Sequence, residues 1–237
     1  GTDDPLDLVP AARALQQAGP QALLDLLRRA GVSTLGESAE RRGRGLTLGA
    51  PQYPVPETLL VSGLMNHVYA HNYAVLVPVT VPESARPGTR LPLRLVAKWL
   101  ACTDKICVPE EATLTGELAV GDGARDPRFD GWRQALPAPL GAAARFAVTD
   151  KLLRVAIPLP ETVTLRDPHL FIGEDRVVDY AAGQTWSRDG DLVVVEIPRS
   201  KVAPDRPDAV SGVIRLAKAK PDGLMISATP GTVPPLG

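Results

Sequence analysis

Two closely spaced cysteines are the residues of this sequence best suited to chemistry. Cys102 and Cys107 are the only cysteines among 237 residues, and four residues separate them. A turn of this length can bring two Cα atoms within the range that a disulfide requires. In the chain-entropy model, a bridge across so short a loop stabilises the fold by roughly 2 kcal/mol. The pair is therefore poorly placed as a structural staple and well placed as a local redox switch.

The spacing alone leaves several kinds of site open. Thiol–disulfide exchange, a structural bridge, and a metal site or free thiols are all compatible with two cysteines at this distance in the sequence. Lys98 and Lys105 favour a thiolate. The carboxylates of Asp104, Glu110 and Glu111 oppose it, so the local charge pattern does not choose between these alternatives.

Two predicted strands position the cysteines. Residues 91–100 and 113–120 have the pattern of strands. The first strand is expected to end at Leu100 and the next to start after Pro109, which places both cysteines on the connection. Such a position exposes the sulfur atoms to an attacking thiolate, as exchange requires.

The chain after residue 45 has the pattern of a mainly β protein. Runs of strand length alternate with turns rich in Pro and Gly, which predicts two antiparallel β-sandwich units. A polar break at residues 121–127 separates the units, one or two helical turns follow within 129–136, and a hairpin turn is expected at 188–191. The other strand candidates are residues 73–81, 152–157, 163–165, 176–180, 192–197 and 210–216.

The N-terminal region has a different composition. Leucines among Ala, Gln and Arg predict helices within residues 6–30, the second starting near Pro20, and the charged, Gly-rich residues 37–45 predict a connector. The predicted organisation is a helical prefix and connector at 1–45, a cysteine-bearing domain at 46–121, a second β-sandwich domain at 127–220 and a C-terminal tail at 221–237.

Composition and motifs exclude several classes of function. A net charge of −1 gives no electrostatic basis for binding nucleic acid or an anionic membrane. The longest apolar stretches, such as residues 73–81, are too short to span a bilayer, and the opening residues do not form a signal peptide. We therefore expect a mature or excised soluble region. No phosphate-binding loop or dinucleotide fingerprint is present, so no bound cofactor is expected.

The segment WLACTDKICVPEEATL, residues 99–114, resembles the N-terminal periplasmic domain of the DsbD family of transmembrane thiol reductases, especially its ScsB-like branch. That branch carries a strand, then W-L-x-C-x-x-x-x-C-x-P-x-E, then another strand. The family usually opens with an aromatic strand segment that residues 1–45 lack. The resemblance covers about residues 48–217, through flanking segments at 63–69, 75–82, 129–137, 187–192 and 211–213.

The resemblance implies an immunoglobulin-like periplasmic domain that shuttles two electrons. A thioredoxin-like domain of the same membrane-anchored reductase would reduce its disulfide, and the domain would then reduce thioredoxin-like periplasmic proteins. Cys107 would form the mixed disulfide and Cys102 would resolve it. The chain would thus be part of a larger membrane-anchored protein.

The resemblance also implies a cap over the cysteines. The loop that caps them in the family looks like residues 66–69 here, with Val68 in place of a shielding Phe, so a more open disulfide is expected. Glu110 is expected to be either an acid–base group or a solvated carboxylate. The residues expected to cap or line the site are Asn66, His67, Val68, Tyr69, Pro109 and Glu110.

Two alternatives to exchange remain at this point. His67 and His71 lie four residues apart and could bind zinc together with the two cysteines, although structural zinc sites usually have a second organised ligand pair. The other alternative is a non-catalytic β-sandwich binding module whose disulfide is structural. Trp99 is expected in the core, because its position on a strand favours burial.

Overall fold

Strands form nearly all the regular structure of the described residues. The structure is a computed structural model and describes residues 32–33, 46–203, 207–218 and 220–235. The mainly β prediction is confirmed. The elements are β1 (Val32–Ser33), β2 (Thr47–Leu48), β3 (Glu57–Val61), β4 (Leu64–Tyr69), β5 (Val79–Thr80), β6 (Arg90–Cys102), β7 (Cys107–Ala119), α1 (Arg128–Gln134), β8 (Ala138–Pro139), β9 (Ala144–Val148), β10 (Leu152–Pro158), β11 (His169–Ile172), β12 (Thr185–Asp189), β13 (Leu192–Pro198), β14 (Val210–Ala217) and β15 (Lys220–Pro230).

The chain divides into two compact units. One comprises the residues up to Arg133 except Gly63–Met65, and the other comprises Gly63–Met65 and Gln134–Gly237. This division falls before the last residue of α1, whereas the polar break at residues 121–127 precedes the helix. The domain bounds given by the sequence stay a prediction.

A five-stranded sheet carries the cysteines in the first unit. Its strand order is β3-β4-β1-β6-β7, and β2 pairs with β5 in a separate two-stranded sheet. Ser62 and Gly63 join β3 to β4, and their φ angles of 49° and 83° suit a tight type I′ hairpin turn. Among the described residues of this unit, the buried apolar side chains are Leu48, Val55, Val61, Val68, Leu91, Val96 and Trp99.

The short strand β1 corrects the prediction for residues 1–45. Val32–Ser33 pairs with both β4 and β6, so part of the region expected to be a helical prefix and connector belongs to the sheet. Two residues are too few to show an alternating pattern, and the Leu-rich stretch before them dominated the prediction. The helices predicted within residues 6–30 lie outside the described residues.

An eight-stranded sheet forms the second unit. Its order is β11-β14-β15-β9-β10-β13-β12, with β8 also pairing with β15. Most pairs are antiparallel, but β15 runs parallel to β8 and β9. Strands at 152–157, 192–197 and 210–216 are confirmed, as is the hairpin turn, where Gly190 has a φ of 54°.

The strand β15 lies where the sequence predicted a C-terminal tail. Pro221 and Gly223 near its start weaken the strand pattern, yet Ile226 and Ala228 are buried while Ser227 between them is exposed. This alternation is the signature of a half-buried strand. After β15, Val233 packs against the face of the sheet opposite the main core.

Three of the predicted strands are wrong. Within residues 73–81 only Val79–Thr80 forms a strand, because prolines at 78 and 82 remove backbone donors. Residues 163–165 form no strand, and residues 176–180 contribute only an isolated bridge at Val178. Arg176 has a φ of 62°, which is incompatible with a continuous strand.

Candidate functional site

The disulfide Cys102–Cys107 closes the end of the hairpin β6–β7. Cys102 is the last residue of β6, Cys107 is the first residue of β7, and the two are directly opposite in the strand register. Their sulfur atoms are 1.99 Å apart and their Cα atoms 4.0 Å apart. The cysteines therefore terminate the strands. They do not lie on a longer connection ending after Pro109, as the sequence predicted.

The side chain of Thr103 organises the turn between the cysteines. Its backbone N–H donates to the carbonyl of Ile106 at 2.8 Å. Its hydroxyl oxygen accepts hydrogen bonds from the backbone N–H groups of Lys105 and Ile106, both at 3.2 Å. The hydroxyl thus takes over a role usually filled by a backbone carbonyl. Thr103 is a site residue that the sequence analysis missed.

Pro109 lies inside β7, opposite Leu100. Proline cannot donate a ladder hydrogen bond, so strands tolerate it at sheet edges. Among the described strands, β7 pairs only with β6, which makes it an edge strand. This explains why the strand continues through Pro109 to Cys107, where the sequence predicted a break.

The surroundings of the disulfide are partly apolar and open. Both cysteines are half-buried, and the neighbouring side chains of Ile106 and Val108 are 51% and 42% exposed. Trp99 is buried, which confirms its predicted place in the core, and it lies opposite the half-buried Glu110. This arrangement leaves the hairpin end open to approach by another molecule.

The predicted cap residues 66–69 form strand β4, so the prediction of a loop there is wrong. Val68 is only 6% exposed within this strand, and its role as a cap residue stays a prediction. Tyr69 pairs with Val32, which in turn pairs with Ala101, the residue before Cys102. Two strand spacings, about 10 Å, therefore separate the Tyr69 and Ala101 backbones.

The connection after β4 leaves the sheet at the cysteine end. Strands β4 and β6 both run antiparallel to β1, so they run in the same direction. Tyr69 and Ala101 share one register position, and β6 ends one residue later, at Cys102. Residues 70–78 therefore start beside the turn end of the hairpin. Residues 70–78 are therefore candidates for a cap over the disulfide.

A group of tyrosines fixes the start of this connection. The Tyr69 hydroxyl donates to the carbonyl of Pro54 at 2.9 Å, and the Tyr69 and Tyr73 rings stack with centroids 4.2 Å apart. Burial, and then the neighbouring phenols of Tyr73 and Tyr53, raise the pKa of Tyr69 well above its usual value. Burial also raises the pKa of Tyr73. Both phenols are therefore neutral at physiological pH and serve packing here.

The described residues contain no assembled metal site. No three His, Cys, Asp or Glu side chains in the part of the chain that the structure describes come together in a way that could hold a metal ion. Both cysteines are bonded to each other, which removes them as thiolate ligands in this state. The structure therefore does not bring His67, His71 and the cysteines together as a zinc site.

We expect His67 to make the stability of the protein depend on pH. Burial lowers its pKa below the ordinary value of 6.5, so the folded chain holds it neutral under conditions where the unfolded chain protonates it. The unfolded state then binds more protons, and stability falls as the pH drops below about 6.5. We expect His67→Gln to weaken this dependence in urea unfolding at pH 7.5 and 5.5. His71→Gln, at an exposed position, serves as the control, and equal pH dependence in both variants would contradict the assignment.

The cysteine-bearing part of the chain matches a known family. Residues 32–119 match the family model described as thiol:disulfide interchange protein DsbD, N-terminal, which confirms the resemblance over that range. No match was found among curated proteins or among solved structures. None of the helices described here has the length and apolar character needed to cross a bilayer. The matched range includes β1 and ends with β7, so it covers the whole cysteine-bearing sheet, and together with the disulfide it supports a thiol–disulfide exchange domain.

Proposed function

On the premise that residues 32–119 are a DsbD-type N-terminal domain, we propose that the Cys102–Cys107 disulfide passes electrons between thioredoxin-like proteins in the periplasm. One observation carries the proposal: the disulfide joins directly opposite residues at the exposed turn end of a hairpin within the matched range. A bridge at a hairpin end links residues that the strands already hold together. It therefore adds little to the fold, and its sulfur atoms lie within reach of a partner.

The chemistry is two successive exchanges. A thiolate of the donor attacks Cys107 Sγ, the Cys102–Cys107 bond breaks, and Cys102 leaves as a thiolate that takes up a proton. The donor's second thiolate then attacks the mixed disulfide and releases Cys107, so the donor becomes the disulfide and this chain the dithiol. In the second exchange the Cys107 thiolate attacks an acceptor disulfide. Cys102 then attacks the mixed disulfide, which releases the reduced acceptor and forms the Cys102–Cys107 bond again. No cofactor takes part.

The assignment of Cys107 as the exchanging sulfur is supported by strand position. Cys107 lies on the edge strand β7, whereas Cys102 lies on β6, which has strands paired on both sides near its end. A partner can therefore approach Cys107 from the open side of the sheet. Ile106 and Val108 next to it offer exposed apolar surface that a partner can cover.

The remaining expectations from the family extend this proposal. We propose that the donor is a thioredoxin-like domain of a membrane-anchored reductase to which this chain belongs, and that each unit is immunoglobulin-like. Asn66, His67 and Tyr69 support the site from β4, while Pro109 and Glu110 line it from β7. Residues 70–78 take the capping role that the sequence assigned to residues 66–69.

A redox titration tests the function directly. We expect the wild-type disulfide to equilibrate with glutathione and to have a reduction potential above about −300 mV, because bridges below that value resist the glutathione pool. Thiol alkylation followed by mass spectrometry measures the reduced fraction. A disulfide that stays oxidised throughout, and that a thioredoxin-like donor also fails to reduce, would instead support a binding module with a structural bridge.

A further inference from the structure

The turn between the cysteines occurs a second time in the chain. Residues 103–106 read Thr-Asp-Lys-Ile between β6 and β7, and residues 149–152 read Thr-Asp-Lys-Leu at the turn from β9 to β10, with Leu152 the first residue of β10. In the second turn the N–H of Thr149 donates to the carbonyl of Leu152 at 2.9 Å. The Thr149 hydroxyl oxygen accepts from the N–H groups of Lys151 and Leu152, at 3.4 and 3.0 Å. The two threonines therefore make the same set of hydrogen bonds.

Both turns place the residues that flank them directly opposite one another. The first holds Cys102 opposite Cys107, and the second holds Val148 opposite Leu153. The second turn achieves this register with no covalent bond across the strands. This turn therefore occurs with the same register of its flanking residues where no disulfide joins them.

We propose that Thr103 is a positioning residue that keeps the two thiols opposite each other when the disulfide is reduced. The inference rests on the proposed function. In the oxidised state the S–S bond itself holds the hairpin end. After reduction, or within a mixed disulfide, the hydrogen bonds to the Thr103 hydroxyl hold the turn at that end.

The step that depends on Thr103 is resolution of the mixed disulfide. The Cys102 thiolate attacks Cys107 Sγ, the bond from Cys107 to the partner sulfur breaks, and the partner leaves as a thiolate that takes up a proton. This attack is intramolecular, so its rate depends on how often the two sulfurs are adjacent. Without the hydroxyl, the turn can open in the dithiol and in the mixed disulfide. In the oxidised form the S–S bond must keep the turn closed without these hydrogen bonds.

The test compares three variants of the full chain: Thr103→Val, Thr103→Ser and Thr149→Val. Valine keeps the branched shape and removes the hydroxyl, while serine keeps the hydroxyl. The mixed disulfide with glutathione is the probe. Release of glutathione from it and the equilibrium with a glutathione buffer are both followed by alkylation and mass spectrometry.

We expect Thr103→Val to slow glutathione release about fivefold and to shift the equilibrium about fivefold towards the dithiol, the effect of losing one net hydrogen bond. Thr103→Ser should restore both values. Thr149→Val should lower the urea midpoint of unfolding and leave both redox values unchanged. This contrast separates positioning of the thiols from a general loss of stability.

The outcomes are distinguishable. If the wild-type disulfide exchanges with glutathione but Thr103→Val behaves as wild type, the positioning role is overturned and the proposed function stands. Equal redox effects of Thr103→Val and Thr149→Val would also overturn it. If the wild-type disulfide does not exchange at all, the proposed function fails and the role of Thr103 fails with it.

Discussion

Replacement of Cys107 with serine is expected to abolish both reduction of this domain by a thioredoxin-like donor and formation of covalent complexes with its partners. The physical reason is that Cys107 lies on the edge strand, where an incoming thiolate can reach it, while Cys102 has strands on both sides. Gel shifts under non-reducing conditions measure the complexes. The expected change is complete loss of the trapped species.

Cys102→Ser is the matched variant with the opposite outcome. It leaves a Cys107 thiol that attacks partner disulfides but has no neighbouring thiol to resolve the product, so covalent complexes accumulate. Each variant should lose only about 2 kcal/mol of unfolding free energy, because the loop between the cysteines is short. Trapping by Cys107→Ser in place of Cys102→Ser would reverse the roles. Unfolding of both variants, together with a disulfide that resists thiols, would show a structural bridge.

Gly212→Ala is expected to cause the largest loss of stability among single small substitutions in the second unit. Gly212 lies in β14, paired with Ile172 of β11 and Ile226 of β15. A Cβ at this position would lie 2.2 Å from the carbonyl oxygen of Phe171, a backbone atom that cannot turn away. The ladder between β11 and β14 must therefore separate, at a cost of about 3 kcal/mol, near the upper end for overpacking.

Two other glycines provide controls for this prediction. A Cβ on Gly183 in the second unit, or on Gly116 within strand β7, would meet no atom within 4 Å. Alanine at either position should change the unfolding free energy by no more than about 0.5 kcal/mol. Urea unfolding of the three variants measures the difference. A Gly212→Ala protein as stable as the controls would show that the two strands separate at little cost.

The chemistry of the site could be predicted from sequence more fully than its geometry. The types and spacing of Cys102 and Cys107, together with the segment around them, indicated exchange before any fold was known. The strand ends at the cysteines could not be predicted, because Pro109 reads as a break unless β7 is known to be an edge strand. The recurrence of Thr-Asp-Lys before Ile106 and Leu152 was present in the sequence, and it would have indicated Thr103.

The errors in the fold have a common cause in tertiary context. Residues 73–81 are rich in β-favouring side chains, yet prolines at 78 and 82 leave few donors for a ladder. The cap was assigned to residues 66–69 because a loop was expected before that run. Strand β1 is too short for any pattern, and its place between β4 and β6 depends on long-range pairing.

The central position of β15 determines when the second unit can complete its folding during synthesis. Without β15, the sheet would be two separate ladders, β11-β14 and β9-β10-β13-β12. Both ladders keep an unpaired strand edge until residue 230 has emerged, and such edges pair readily with other chains. The described pairs of the cysteine-bearing sheet end at Ala119. The cysteines can therefore come into register while the strand edges on either side of the missing β15 are still unpaired.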